Sequence, residues 1–288
     1  MNFEFNDDQR MLREQVQRFL TENCSLQVVR KTLENTQAYD SDLWNQFASM
    51  GWLGAAIPEN FGGAGLSHLE LCVIAEELGR SLAPTPIATS IYLGAEALMQ
   101  AGTEEQKQNY LPDIASGKAI WCFALSERRT PISEKYMTVS ENGGRLTGEK
   151  LPVVDGDNAD FAIVVAKNKT STGLYIVNLN GDGIERNSID TIDPTRSQAQ
   201  IIFSEAPAEL LSEDCWDLLE NIQNRAAVLI AFEQVGGAEA ALNTAKEYAL
   251  GRYAFGRPIA SYQALKHRMA DMYIQTELAR SNSYYGAW

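Results

Sequence analysis

The segment with the clearest chemical potential joins two predicted helices late in the chain. It reads Arg252-Tyr253-Ala254-Phe255-Gly256-Arg257, and Gln263 follows a short way on. An arginine at a helix end, with an aromatic ring and a glycine beside it, can bind an anion and contact a planar ring from a rigid scaffold. The same residues also suit a plain turn between helices, and composition alone favours the plain turn.

Other residues with chemical potential have simpler structural interpretations. The glycine-rich residues 62–65 lack the GxGxxG spacing and the preceding strand of a dinucleotide loop, so we interpret them as a turn. His68 and His267 are the only histidines, and no nucleophile motif accompanies either. With two histidines and no CxxC motif, the sequence argues against a metal centre.

Composition narrows the class of protein. The 288 residues carry 24 Lys+Arg and 38 Asp+Glu, a formal net charge of −14, which argues against binding to nucleic acid or anionic membrane. Hydrophobic residues at 45% exclude a disordered chain. Four widely separated cysteines, an acidic N-terminus and no long apolar run predict a cytoplasmic protein with reduced thiols and no spanning helix.

Hydrophobic periodicity predicts a multidomain α+β protein. An N-terminal helical bundle (residues 1–117) precedes a middle antiparallel β barrel or sandwich (118–210) and a C-terminal helical bundle (211–288). Because the chain stops at Trp288, so close to a helix, we expect the natural protein to continue and the third domain to be truncated. The candidate strands are residues 120–125, 137–140, 145–148, 161–166, 174–179 and 200–203.

Glycines in the helical regions predict two different features. Gly79 follows an apolar helical pattern, and we expect it to end that helix. Gly236 and Gly237 instead lie within a long helical pattern. Glycine costs a helix ~1 kcal/mol relative to alanine, so we expect close backbone packing or a nearby ligand at this pair.

Three collinear strings resemble the acyl-CoA dehydrogenase family of flavoproteins. They are MGWLGAAIPENFGGAGLSHLELCVIAEELGR from Met50, GTEEQKQNYLPDIASGKAIWCFALSE from Gly102 and RYAFGRPIASYQALKHRMADM from Arg252. Together they reach across most of the chain, which makes them far more specific than any single motif. The resemblance implies a helix–sheet–helix fold with FAD bound between the β domain and the C-terminal bundle.

The resemblance also implies which residues meet the flavin. The family's Thr-Glu-Pro segment, which contacts the flavin ring, is matched by Leu125-Ser126-Glu127, with Phe123 just upstream. A second segment in the family holds the pyrophosphate and adenosine of the FAD of a neighbouring subunit, which implies a homo- or hetero-oligomer, either a dimer or a tetramer. Its matches here are Arg252, Phe255, Gly256 and Gln263.

The implied activity is α,β-dehydrogenation of an acyl-CoA thioester, with electrons passed to an electron-transferring flavoprotein. In the family a glutamate removes the α-proton, from a bundle helix beside an arginine or from a loop near the C-terminus. The helix position falls at Asn224, before Arg225, and asparagine cannot accept a proton as a carboxylate does. We therefore expect the base beyond Trp288, with Glu220, one turn before Asn224, as the weaker alternative.

Two segments depart from the family pattern. The family's Pro-x-Ala-Gly-Ser-Asp reads RRTPIS at residues 128–133, and Gly-x-Lys-x-Trp-Ile-Thr reads GEKLPVV at residues 148–154. The Trp and Thr that flank the flavin are therefore absent. Two hypotheses stay open. In the first, the intact protein is an active acyl-CoA dehydrogenase, of fatty acid or steroid side-chain catabolism, whose base lies beyond Trp288. In the second, it is a catalytically silent subunit that completes a partner's FAD site in a heteromeric complex, as in members resembling those of steroid side-chain degradation.

Overall fold

The computed structural model describes residues 6–34, 39–128 and 131–288. The chain runs from helices through strands to helices, which confirms the predicted order. No helix in these residues is long and apolar enough to cross a membrane. The helices are α1 (Asp7–Asn23), α2 (Leu26–Glu34), α3 (Ser41–Ser49), α4 (His68–Ser81), α5 (Glu96–Ala101), α6 (Glu104–Ala115), α7 (Trp216–Gly251) and α8 (Gln263–Ala287), with a π-helix at Ala88–Ala95 before α5.

The strands form one large sheet and one small hairpin. The strands are β1 (Trp121–Ala124), β2 (Ser140–Glu141), β3 (Arg145–Val154), β4 (Phe161–Lys167), β5 (Thr172–Asn178), β6 (Ile184–Ser188), β7 (Gln198–Pro207), β8 (Glu209–Ser212), β9 (Tyr253–Ala254) and β10 (Arg257–Pro258). The large sheet has the order β6-β7-β3-β2-β4-β5-β8, with β1 beside β4, and the hairpin joins β9 to β10.

The sheet decides between the two predicted forms and corrects the predicted strand direction. Of the barrel and the sandwich it has the open, sandwich-like form, since its strand order runs from one edge at β6 to another at β8. It is mixed rather than antiparallel, because β1 and β2 both pair with β4 in parallel. Parallel pairing needs a long connection, and residues 125–160, which include β2 and β3, provide it between β1 and β4.

The chain divides into two compact units, each described separately below. The helical unit comprises Met1–Val29, His68–Ala83 and Ala227–Trp288, and the sheet unit comprises Arg30–Ser67 and Pro84–Ala226. The domain boundaries placed after residues 117 and 210 stay a prediction.

Two glycines bring α4 and α7 of the helical unit into backbone contact. A Cβ on Gly79 would overlap the backbone of Glu233, and a Cβ on Gly236 would overlap the carbonyl oxygen of Glu76. The prediction that Gly79 ends its helix was wrong, because α4 continues to Ser81. The close backbone packing expected at Gly236 is confirmed.

Buried charges join the helices of the same unit. Glu76 and Glu77 lie side by side on α4, and each carboxylate is only 1% exposed. Burial raises the pKa of Glu76 in spite of the nearby guanidinium groups. These groups come from α1, α4 and α8, and they belong to Arg13, Arg80 and Arg280. Removing one partner from such a buried network costs about 3–5 kcal/mol, so the network fixes which helices pack together.

An aromatic cluster fixes β1 in the sheet unit. Trp121 is fully buried and stacks on Phe161 of β4, with ring centroids 4.9 Å apart. Tyr110 of α6 meets the Trp121 ring edge-on at 5.2 Å. The backbone N–H of Trp121 donates to Ser90 Oγ of the π-helix at 3.1 Å. These contacts hold the strand from which the candidate site begins.

Candidate functional site

The first group of predicted site residues lies in and just after β1, a buried strand. Phe123 lies within β1 in register with Ile163 of β4, and Leu125 follows the strand end. The Phe123 and Leu125 side chains are 9% and 7% exposed, whereas Ser126 is half-buried. The structure therefore places a hydroxyl group at the end of an apolar strand, where it can donate to a ligand.

The backbone joins the Ser126 segment to β3. The Leu151 N–H donates to the Ser126 carbonyl at 2.8 Å, and the Arg128 N–H donates to the Leu151 carbonyl at 2.6 Å. The two segments that depart from the family pattern therefore meet in space. Of the first one, Arg129 and Thr130 lie outside the described residues.

A buried ion pair joins the same two segments, between residues adjacent to those backbone hydrogen bonds. Lys150 of β3 is 0% exposed, and its ammonium group lies 2.8 Å from the Glu127 carboxylate. Burial lowers the pKa of Lys150 to about 8, against the attraction of Glu127. Burial also raises the pKa of Glu127, but hydrogen bonds from Lys150 and Thr138 outweigh this and hold it below its usual value. Both groups are therefore charged at neutral pH.

Sequence reasoning matched Glu127 to the flavin-contacting segment but did not pair it with Lys150. Charged or polar residues stand beside each of them in the sequence, Ser126 and Arg128 beside Glu127 and Glu149 beside Lys150, so no local signal marks either as buried. The pairing depends on how β3 packs against the residues after β1.

A second buried carboxyl group follows the end of β3. Asp155 is 3% exposed and accepts a hydrogen bond from Thr89 Oγ1 of the π-helix at 2.6 Å. Burial raises its pKa to about 6, although the Thr89 hydrogen bond and the charge of Arg196 oppose the shift. Its backbone has φ +56°, a conformation that asparagine adopts more readily than most residues.

We expect Asp155→Asn to stabilise the protein by about 1–3 kcal/mol at pH 8, because the amide still accepts from Thr89 without burying a charge. The folded-state pKa lies above the ordinary 3.8, so the stability contributed by the protonated carboxyl is present at low pH and lost as pH rises through about 6. The advantage of the variant should therefore shrink as pH falls from 7 towards 4.5. Urea unfolding of both proteins across this range measures it, and an advantage that does not change with pH would contradict the assignment.

Residue 224, the helix position at which the family can carry its base, holds no carboxylate in this chain. Asn224 lies exposed on α7, and Glu220 lies exposed one turn earlier. Arg225 forms an ion pair with Glu96 of α5, with 2.6 Å between Nε and Oε1. The Glu96 side chain is 8% exposed, and sequence reasoning missed it because it lies between the matched strings and its partner is 129 residues away in the chain.

The second group of predicted residues forms a hairpin in the helical unit. Strands β9 and β10 pair through Tyr253↔Pro258 and Ala254↔Arg257, which leaves Phe255 and Gly256 as the turn. Their φ angles are +54° and +77°, as a type I′ turn requires. Asparagine and glycine are the usual residues there, so Phe255 occupies a strained backbone position.

The strands of the hairpin contact Tyr262, whereas the turn residues are exposed to the solvent. Tyr262 donates its hydroxyl to the Ala254 carbonyl at 3.0 Å, and its ring lies 4.1 Å from the Arg257 guanidinium. In contrast, Phe255 is 97% exposed, and no atom lies within 4 Å of the Cβ position of Gly256. Arg252 and Gln263 are exposed as well. Residues 253–258 therefore form a turn, and Arg252, Phe255 and Gln263 present a guanidinium, an aromatic ring and an amide to the solvent around it. Their role in binding FAD stays a prediction.

Comparisons with known proteins find matches at both ends of the chain and across most of its length. Residues 6–118 match the family described as acyl-CoA dehydrogenase, N-terminal domain, and residues 216–288 match the acyl-CoA dehydrogenase, C-terminal domain. The acyl-CoA dehydrogenase IpdE2 of Mycobacterium tuberculosis is 31% identical over 276 residues, which cover 96% of this chain and 74% of that protein.

Solved structures show the same fold. A chain of the ChsE4–ChsE5 complex from Mycobacterium tuberculosis superimposes with a TM-score of 0.90 at 27% identity, covering 100% of this chain and 79% of that one. Butyryl-CoA dehydrogenase from Megasphaera elsdenii gives a TM-score of 0.91 at 25% identity, covering 100% of this chain and 80% of that one.

Proposed function

Since this chain belongs to the acyl-CoA dehydrogenase family, we propose that it is a FAD-dependent enzyme for the α,β-dehydrogenation of an acyl-CoA thioester. Its electrons pass to an electron-transferring flavoprotein. The observation that carries the proposal is the hairpin, because Phe255 is both strained and exposed, and strain of this kind is retained where a site needs it.

The residues of both groups suit FAD. Phe123 and Leu125 are buried at the apolar strand end that supports Ser126, and the half-buried Ser126 offers a hydroxyl donor to a polar edge of the flavin. The guanidinium of Arg252 can fork onto the oxygens of a pyrophosphate, and the Gln263 amide can bind polar groups nearby. We propose that these hairpin residues serve the FAD of a neighbouring subunit. The cofactor's chemistry is the acceptance of a hydride from the substrate β-carbon.

The α-proton needs a base other than residue 224. Asn224 has no proton-accepting carboxylate. Arg225 beside it forms an ion pair with Glu96. Glu220, exposed one turn earlier on α7, is the candidate within this chain. A carboxylate introduced at position 224 would stand where the family carries its helix-borne base.

We expect the flavin of Asn224→Glu to be reduced by acyl-CoA faster than the flavin of the parent. The test is an anaerobic titration of the FAD-loaded protein with acyl-CoA esters of different chain length, followed by flavin absorbance. The variant should bleach about 10²–10⁴-fold faster than the parent, because that is the rate that a positioned base contributes. Failure of the parent to retain FAD would refute the proposal. Bleaching by the parent that Glu220→Gln abolishes would instead assign the base to Glu220.

Three features favour a second candidate function, a silent subunit that completes a partner's FAD site. Asn224 replaces the helix-borne base, and residues 151–154 replace the family's Trp and Thr. The chain is also similar to a chain of a solved two-component complex, ChsE4–ChsE5. Native mass measurement of the complex isolated from its host distinguishes the candidates: a second, different dehydrogenase-like chain supports the silent subunit, and a homo-oligomer supports the enzyme.

A further inference from the structure

The ammonium group of Lys150 has three partners inside the protein. Its Nζ donates to the Leu125 carbonyl at 3.0 Å and to Glu127 Oε1 at 2.8 Å, and it lies 3.4 Å from Met137 Sδ. An ammonium group has three donors, and here each has a partner. Since Lys150 is 0% exposed, no water competes for these bonds.

Both carboxylate oxygens of Glu127 also accept hydrogen bonds within the protein. Its Oε2 accepts from the Thr138 N–H at 2.7 Å and from the Thr138 hydroxyl at 2.6 Å. Its Oε1 accepts from the Val139 N–H at 3.1 Å in addition to Lys150. The pair thus joins the end of β1, the middle of β3 and the residues before β2 in one satisfied polar network, which is the kind that makes a core rigid.

The network determines how the peptide between Leu125 and Ser126 is oriented. β1 ends at Ala124, so the Leu125 carbonyl has left the strand and turns inward to Lys150. In a trans peptide the next N–H points the opposite way, so the Ser126 N–H faces away from Lys150. Within residues 6–34, 39–128 and 131–288 it has no acceptor.

We infer that Lys150 and Glu127 are positioning residues for the cofactor: they fix the Leu125–Ser126 peptide so that the N–H and hydroxyl of Ser126 are both presented as donors to the flavin edge. This inference rests on the proposed function. Two backbone bonds complete the clamp, since Ser126 and Arg128 are both held to Leu151.

Stability alone does not account for the pair. A buried ion pair exchanged for apolar side chains of similar volume often leaves stability unchanged or raises it, so packing would be served equally well by a methionine and a leucine. What apolar side chains cannot do is donate to the Leu125 carbonyl. The specific role of Lys150 is therefore directional.

The test is the double variant Lys150→Met with Glu127→Leu, because a single substitution would strand one buried charge and could prevent folding. The matched control is Arg128→Gln with Glu149→Gln, which removes an ion pair between the same two segments, from an exposed arginine to a half-buried glutamate with 2.9 Å between Nη2 and Oε2. Both variants, stripped of FAD, are compared with the parent by hydrogen-exchange mass spectrometry of peptides covering residues 121–128 and 148–154, and FAD affinity is then measured by fluorescence titration.

In the Lys150/Glu127 variant we expect exchange in these peptides to rise at least tenfold and the Kd for FAD to rise at least tenfold, with neither change in the control. Unchanged exchange would show that the pair is no clamp, and unchanged FAD affinity with faster exchange would show that the clamp does not serve the flavin. Either result overturns the inference. A parent chain that binds no FAD would overturn the proposed function instead, while exchange would still decide whether the pair clamps the peptide.

Discussion

Gly236→Ala should unfold the helical unit or weaken it by roughly 3–5 kcal/mol, at the upper end of what single substitutions do. The added methyl group would overlap the carbonyl oxygen of Glu76, which is backbone and cannot rotate away as a side chain can. The only relief is a separation of α4 from α7. That separation would also disturb the ion pairs of Glu76 and Glu77, whose loss is costly because both carboxylates are buried.

Gly237→Ala is the matched control, because it adds the same methyl group one residue further along the same helix. Its Cβ would lie 3.5 Å from the Gly79 carbonyl oxygen, an ordinary contact. Alanine favours helix over glycine by ~1 kcal/mol, so we expect this variant to be as stable as the parent or more stable. Chemical unfolding followed by circular dichroism compares the two, and equal stabilities would contradict the backbone crossing.

Arg252→Ala should weaken FAD binding about 10- to 100-fold, since a charge-assisted hydrogen bond is worth about 1.5–3 kcal/mol. The guanidinium is exposed, so its removal should leave the unfolding free energy close to that of the parent. Arg252→Lys should lie between the two, because lysine keeps the charge without the fork that matches a pyrophosphate. Equilibrium dialysis against FAD measures all three.

The control for charge is Arg257→Ala, which removes one positive charge from the same hairpin. Arg257 is exposed, but its guanidinium lies 4.1 Å from the centroid of the Tyr262 ring, so we expect FAD affinity to change by about twofold or less. An equal loss of FAD in both variants would mean that the hairpin supplies only a diffuse positive field, and unchanged affinity in Arg252→Ala would mean that it is only a turn.

Elements with strong periodicity were predictable from the sequence. The β4 strand, Phe161–Lys167, is an apolar run buried on both faces, and it was placed within one residue. The β6 strand, Ile184–Ser188, was missed because it lies at a sheet edge and is polar, so it has no pattern to detect. Residues 137–139 were predicted as strand and are not, because the N–H groups of Thr138 and Val139 donate to Glu127.

The candidate site was predictable only where sequence neighbours form it. The hairpin residues from Arg252 to Arg257 are contiguous, so their segment could be recognised before its geometry was known. The contact of Lys150 with Leu125 joins β3 to the residue after β1, and the pair of Arg225 with Glu96 joins two helices far apart in the sequence. Nothing local in a single sequence encodes such contacts, because they depend on sheet register and helix packing.

The central claim is that one copy holds the flavin ring near Ser126 while the hairpin of a neighbouring copy holds the pyrophosphate. It is tested by flavin content in mixed oligomers isolated through two affinity tags. A chain carrying Ser126→Trp, which blocks the ring, is paired with a chain carrying Arg252→Ala. A chain with both substitutions is paired with the parent.

If the site is shared between copies, the first pairing contains one intact site per pair of chains and should retain about half the flavin of the parent, since each intact half comes from a different chain. The second pairing should retain almost none, because every site then has one damaged half. The reverse result, with flavin in the second pairing and none in the first, would place the whole site within a single chain and contradict the account.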